Sequence, residues 1–233
     1  MQMNCLSRGF AVAWIALGAC GDSAAPLRDG AADAGASFSG GVLVLGDSYM
    51  TWNEERGSSI PMILADELAI PVRSEAVSGS QLTANEHSIP SQYRDGDWSW
   101  VVLDGGGNDV NDLCRCADCG EVLDEILTAD GSSGVLVELV ERVVSGRRRV
   151  AFLGYPTLPE GAEFGFDRCS EELAILSNRV ADYAARTENL VFVDGRLAVT
   201  DLDGFDDDRV HPSVRGSTAL GRALADAILA AGP

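Results

Sequence analysis

The pattern that most constrains the fold is a recurrence. Short apolar runs alternate with longer segments of helical spacing. Gly41–Leu45 (GVLVL), Trp100–Leu103 (WVVL), Arg149–Leu153 (RVAFL) and Leu190–Val193 (LVFV) are each only four or five residues long. None alternates polar with apolar residues, so they read as strands covered on both faces. Val72–Val77 reads as a further, weaker strand. Between the runs, Ser59–Leu68, Val122–Leu127, Val135–Val144, Asp167–Arg186 and Ala219–Ala230 carry apolar residues at helical spacing. Pro61 fits the first turn of its helix, and Pro212 is expected at the start of the last one. Strand-helix alternation of this kind predicts an α/β domain. The expected form is a flavodoxin-like three-layer α/β/α sandwich on a mostly parallel, five-stranded sheet. The sequence shows no internal repeat and no second domain.

In an open parallel sheet, ligands bind outside the carboxyl ends of the strands. Those ends carry Ser48, Gly79 and Asn108, and the last strand is followed by Asp208-Arg209-Val210-His211-Pro212. Together these types suit acyl transfer. A serine hydroxyl is a poor nucleophile until a base takes its proton. The chain has two histidines, His87 and His211. His211 follows an acid by three residues, so Asp208 can hold its second nitrogen and stabilise the imidazolium. His87 lies in a polar stretch and is expected at the surface. The backbone N–H groups of Ser48 and Gly79, with the Asn108 amide, are candidate donors to a tetrahedral oxyanion. Asp47 is expected to cap the helix that follows, Asp109 to brace the Asn108 loop, and Asp104 to bond a neighbouring loop. The Gly105-Gly106-Gly107 run has no basic partner for a phosphate, so it reads as room for close backbone approach.

These residues resemble the SGNH hydrolase superfamily, the GDSL esterases and lipases. Gly46-Asp47-Ser48 matches its first block, and Gly79 within Ser78-Gly79-Ser80 the second. Gly106-Gly107-Asn108-Asp109 matches the third block, and Asp208-x-x-His211-Pro212 the fifth. The fourth block has no clear counterpart, and Tyr49-Met50 replaces the usual Leu after the serine. The resemblance implies a serine esterase with Ser48 as nucleophile, His211 as base, Asp208 as its partner and Asn108 as oxyanion donor. It implies no cofactor and no catalytic metal. The superfamily includes carboxylesterases, lysophospholipases, thioesterases and carbohydrate deacetylases. A low aromatic content and the lack of a long apolar lid favour a short-chain acyl ester here. A carbohydrate O-acetylesterase or a lysophospholipase or thioesterase on the same site is the alternative, and a catalytically silent binding lipoprotein a more distant one.

The first 20 residues read as an export signal, with Arg8, a short apolar run and then Leu17-Gly18-Ala19-Cys20. That ending resembles the lipobox of bacterial lipoproteins, which implies lipidation of Cys20. Residues 21–40 are rich in Ala, Gly, Ser and Asp and read as a tether with a reach of roughly 25 Å. The hydrolase domain is expected over 41–233. Attachment to the bacterial envelope, at its periplasmic or outer-membrane face, follows from these expectations. Beyond the signal, Cys114, Cys116, Cys119 and Cys169 remain. In an oxidising compartment they predict two disulfides, with three pairings open. A zinc site or a Cys116–Cys119 redox pair is the alternative use. Finally, all 17 basic residues are Arg against 36 acids, a formal net charge of -19. The absence of Lys excludes Schiff-base and Walker-type chemistry. The acidity excludes nucleic acid as a partner and limits membrane contact to the expected lipid anchor. The partner left is a small-molecule or glycan ester, with the oligomeric state open.

Overall fold

The computed structural model describes residues 40–84 and 86–232. The expected signal, Cys20 and all of the tether but Gly40 lie outside them. In chain order the elements begin with β1 (Gly41–Leu45), α1 (Ser48–Thr51), α2 (Ile60–Leu68), β2 (Val72–Ser74) and α3 (Ile89–Gln92). Next come β3 (Trp98–Leu103), α4 (Gly107–Leu113), α5 (Gly120–Ile126), α6 (Val135–Ser145) and β4 (Arg149–Leu153). The chain continues with α7 (Ser170–Ala184), β5 (Leu190–Val193), α8 (Gly195–Ala198) and α9 (Val214–Ala231). The sheet order is β2-β1-β3-β4-β5 and every pairing is parallel. This is the α/β class expected, with a sheet parallel throughout.

Burial explains the strand composition. All five residues of β1 and the last four of β3 and of β4 are buried. A strand with layers on both sides has no solvent face on which to place polar residues. The edge strands are less covered: the three residues of β2 are half-buried or exposed, and Val191 and Phe192 of β5 are half-buried. The sequence places the end of β2 at Val77, three residues too far. Glu75 and Val77 still donate backbone hydrogen bonds to Val44 and Gly46, but the ladder itself stops at Ser74.

The helices differ from expectation mainly at their ends. α7 starts at Ser170 because Phe166–Arg168 forms a separate 3₁₀ turn. α9 starts at Val214, two residues beyond Pro212, because the Ser213 side chain caps it by accepting from the Gly216 N–H. On α9, Gly221 lies against α2: an added Cβ would meet the Ile63 Cβ at 2.7 Å, so glycine sets the approach of these two helices. Four short helices escape sequence periodicity altogether, and two of them, α1 and α4, carry Ser48 and Asn108. Among the described residues no helix is long and apolar enough to cross a membrane.

The four cysteines of the domain pair two and two. Cys114 faces Cys119 and Cys116 faces Cys169, with Cα–Cα distances of 5.3 and 4.7 Å, in the range of disulfides. The second pair joins the loop after α4 to the entry of α7.

Candidate active site

The carboxyl ends of β1 and β3, the segment after β2 and the loop before α9 meet at one edge of the sheet. Ser48 is the first residue of α1, directly after the β1 turn. His211 comes from the loop before α9. Its Nε2 lies 2.9 Å from Ser48 Oγ, and its Nδ1 lies 2.7 Å from Asp208 Oδ2. The other Asp208 oxygen accepts the backbone N–H groups of Val210 and His211, both at 2.9 Å. Partial burial acts to raise the Asp208 carboxyl. The bonds from the His211 ring and from these two N–H groups outweigh it and hold the group below the usual carboxylate value. Asp208 therefore stays charged beside the imidazole. Of the three successive aspartates, only Asp208 meets the ring. Asp206 instead accepts from the Trp52 indole and from Arg56, both at 3.0 Å.

Asn108 sits in the first turn of α4. Its Nδ2 donates to the Ser80 carbonyl at 3.0 Å and to Asp47 Oδ2 at 3.3 Å. The amide thus bridges the Ser48 turn and the segment after β2. Gly79 lies exposed in that segment with φ +79, a left-handed conformation that favours glycine. Among the described residues, the backbone N–H groups of Ser48 and Gly79 have no protein acceptor. Free donors of this kind beside a serine can receive a developing oxyanion.

Behind the serine lies a buried polar framework. Asp47 Oδ1 accepts the Tyr49 N–H and caps α1, while its Oδ2 accepts the Tyr155 hydroxyl at 2.6 Å. The Asp47 N–H donates to Asp104 Oδ1 at 3.0 Å. Burial raises the Asp47 carboxyl against these hydrogen bonds. Burial and then the Asp47 charge hold Asp104 well above its usual value, and its second oxygen has no partner among the described residues. The two carboxyls, both raised by burial, share one low-dielectric site in which Asp104 is pushed up the further. Gly46 makes room for it: with φ +153, an added Cβ would fall on the Asp104 oxygen. Gln92 completes the frame, accepting from the Gly46 N–H at 2.7 Å and donating to the Gly46 carbonyl at 2.9 Å. Asp109 gathers the Leu82 and Thr83 N–H groups and the Thr83 hydroxyl, which fastens the segment after β2 to α4.

The sequence reading missed Trp52, Tyr155 and Gln92, none of which belongs to a recognisable spacing. His87 is exposed. A cavity of about 10 Å³, room for roughly one water, opens behind Ser48 and Asn108; Tyr155, Leu158, Phe166 and Val210 form its apolar walls. Among the described residues no group of three or more His, Cys, Asp or Glu is placed to hold a metal ion.

This geometry has relatives. The model of the GDSL-like lipase/acylhydrolase family matches residues 44–219, and the chain belongs to that family. It is an ester-hydrolysing serine hydrolase. A protein described as an SGNH hydrolase from Slackia heliotrinireducens superposes with a TM-score of 0.58 at 19% identity, over 81% of this chain and 98% of the other. An acetylxylan esterase from Geobacillus stearothermophilus gives 0.55 at 21% identity, over 79% and 91%. A family 3 carbohydrate esterase from Clostridium thermocellum gives 0.56 at 15%, over 81% and 94%. At these identities the likeness speaks to the fold. A comparison with curated protein sequences finds no match to this chain.

Proposed function

We propose that the protein hydrolyses short-chain acyl esters through Ser48, His211 and Asp208. The observation that carries this reading is the unbroken hydrogen-bonded line from Ser48 Oγ through both His211 nitrogens to Asp208. As Ser48 Oγ bonds to the acyl carbon, its proton passes to His211 Nε2. Asp208 offsets the charge on the ring. The carbonyl oxygen becomes an oxyanion that the Ser48 and Gly79 N–H groups receive, and the Asn108 amide joins them by giving up its longer, 3.3 Å bond to Asp47. Collapse breaks the ester C–O bond, and the leaving alkoxide takes the proton from His211. Water then attacks the acyl-serine, giving its proton to His211; collapse breaks the acyl–Oγ bond, Ser48 Oγ takes the proton back from His211, and the acid leaves.

The cavity behind Ser48, with room for roughly one water, leaves no space for a long acyl chain and so favours a short one. The same feature supports a second reading, a carbohydrate O-acetylesterase, since structural neighbours include an acetylxylan esterase. Assays with acetyl, butyryl and long-chain nitrophenyl esters and an acetylated polysaccharide separate the two. Acetyl ester turnover should be highest, and Ser48→Ala should abolish it; undiminished turnover in that variant refutes the mechanism. We also infer attachment to the envelope through Cys20, a reading that rests on the lipobox-like sequence. Cys20→Ala should then move the protein from the membrane fraction to the soluble one.

A further inference from the structure

The feature that the ester mechanism leaves unused is the indole of Trp52. It lies four residues after Ser48 and stacks on the His211 ring, with centroids 3.8 Å apart and planes 7° from parallel. Several bonds fix it there. The Trp52 Nε1–H donates to Asp206 Oδ2, and Arg56 donates to the same oxygen. Next to it, Asn53 takes a left-handed φ of 64° and donates to the Pro212 carbonyl at 2.8 Å and to the Ser217 hydroxyl at 2.9 Å. The Asn53 side-chain Oδ1 also accepts from the Arg56 guanidinium at 3.0 Å. The segment 52–56 therefore grips the chain on both sides of His211, at Asp206 before it and at Pro212 after it.

We propose that Trp52 is a positioning residue for the hydrolysis: its face sets the plane of the His211 ring so that Nε2 stays aimed at Ser48. One hydrogen bond at each nitrogen fixes the ring along the line between them but leaves it free to tilt about that line. A parallel indole removes this freedom. The attraction of a cation to an aromatic face adds to the effect, because it operates only once the ring has taken the serine proton. The face therefore favours the transition state over the resting enzyme. Asp206 and Arg56 act one step further out, by fixing the edge of the indole.

The proposal rests on the serine-esterase reading, and one experiment separates them. Wild type, Trp52→Leu, Trp52→Phe and Asp206→Asn are assayed for acetyl ester turnover and for the rate at which an organophosphonate labels Ser48. Trp52→Leu should lower kcat roughly 10- to 100-fold and slow labelling in parallel, with KM within about twofold. Trp52→Phe keeps an aromatic face and should recover most of the loss. Asp206→Asn should show a smaller drop of the same kind. If Trp52→Leu does not fold, the Phe and Asn variants carry the test through their kcat and labelling rates. Wild-type rates in Trp52→Leu, or in both remaining variants where it does not fold, would overturn the proposal. So would a raised KM at unchanged kcat, which would make Trp52 a substrate contact. Wild-type enzyme that is not labelled at Ser48 would instead refute the esterase mechanism itself.

Discussion

Asp208 and Asp104 are the same residue placed in two settings a few side chains apart. Each accepts a backbone N–H from the segment it supports: Asp208 from the His211 loop, Asp104 from the Ser48 turn. Around Asp208 there are donors and some water, and the carboxylate is held ionised. Around Asp104 there is burial and a second acid, and the carboxyl is pushed well above its usual value, toward the neutral form. One can therefore stabilise a positive charge, and the other can only shape the chain. What decides between them is burial set against the supply of donors: Asp104 is fully enclosed beside a second acid, whereas Asp208 is partly exposed and gathers three hydrogen bonds.

Exchanging charge for shape at each position tests this contrast. The largest effect is expected for Asp208→Asn, which keeps the outline but leaves the imidazole without its counter-charge. Turnover should fall by about 10³- to 10⁴-fold, with folding intact by circular dichroism. Next comes Asp104→Leu, which strands the Asp47 N–H in the core. Denaturant unfolding should show a loss of roughly 2–4 kcal/mol. Asp104→Asn should cost only about 1 kcal/mol, because an amide resembles a protonated carboxyl in shape. If Asn and Leu were equally damaging, the amide would not reproduce the role of the Asp104 carboxyl.

The smallest effect lies in the pH dependence of stability. Asp104 is raised, so its contribution is complete below the ordinary value of 3.8 and declines as pH rises above it. Asp208 is lowered, so its contribution is present above 3.8 and is lost as pH falls below it. Unfolding curves across pH should lose the first decline in Asp104→Asn and the second in Asp208→Asn. An Asp104→Asn profile that follows the parent would show that Asp104 is not its source.

The strands and the residues at their ends were legible from the sequence for a single reason. A buried strand has one face pattern, and the turn after it must bring its side chain to the same edge. Ser48 and Asn108 inherit their positions from that rule, whereas Asp208 and His211 come from the loop before α9 and were legible through their own spacing. The short helices α3, α4 and α8 were not legible, since their few residues show no helical period to read, and α1 was legible only as the helix that Asp47 caps. Nor were Trp52, Tyr155 and Gln92. Each acts through a contact across more than 45 residues of chain, as Gln92 does with Gly46 and Tyr155 with Asp47. Such partners are set by packing, not by local pattern. The cysteine pairing is of the same kind: the count foretold two pairs, but only the meeting of α4 with α7 selects among three arrangements.

That pairing also has a topological side. A bond between Cys116 and Cys169 turns the intervening chain, a sequence separation of 53, into a covalent ring. Ser48 and Asn108 lie on the arm that enters the ring, and Asp208 and His211 on the arm that leaves it. A single cut anywhere between 117 and 168 would therefore open the ring without parting the arms. The nicked molecule would remain one covalent body that carries every reacting group.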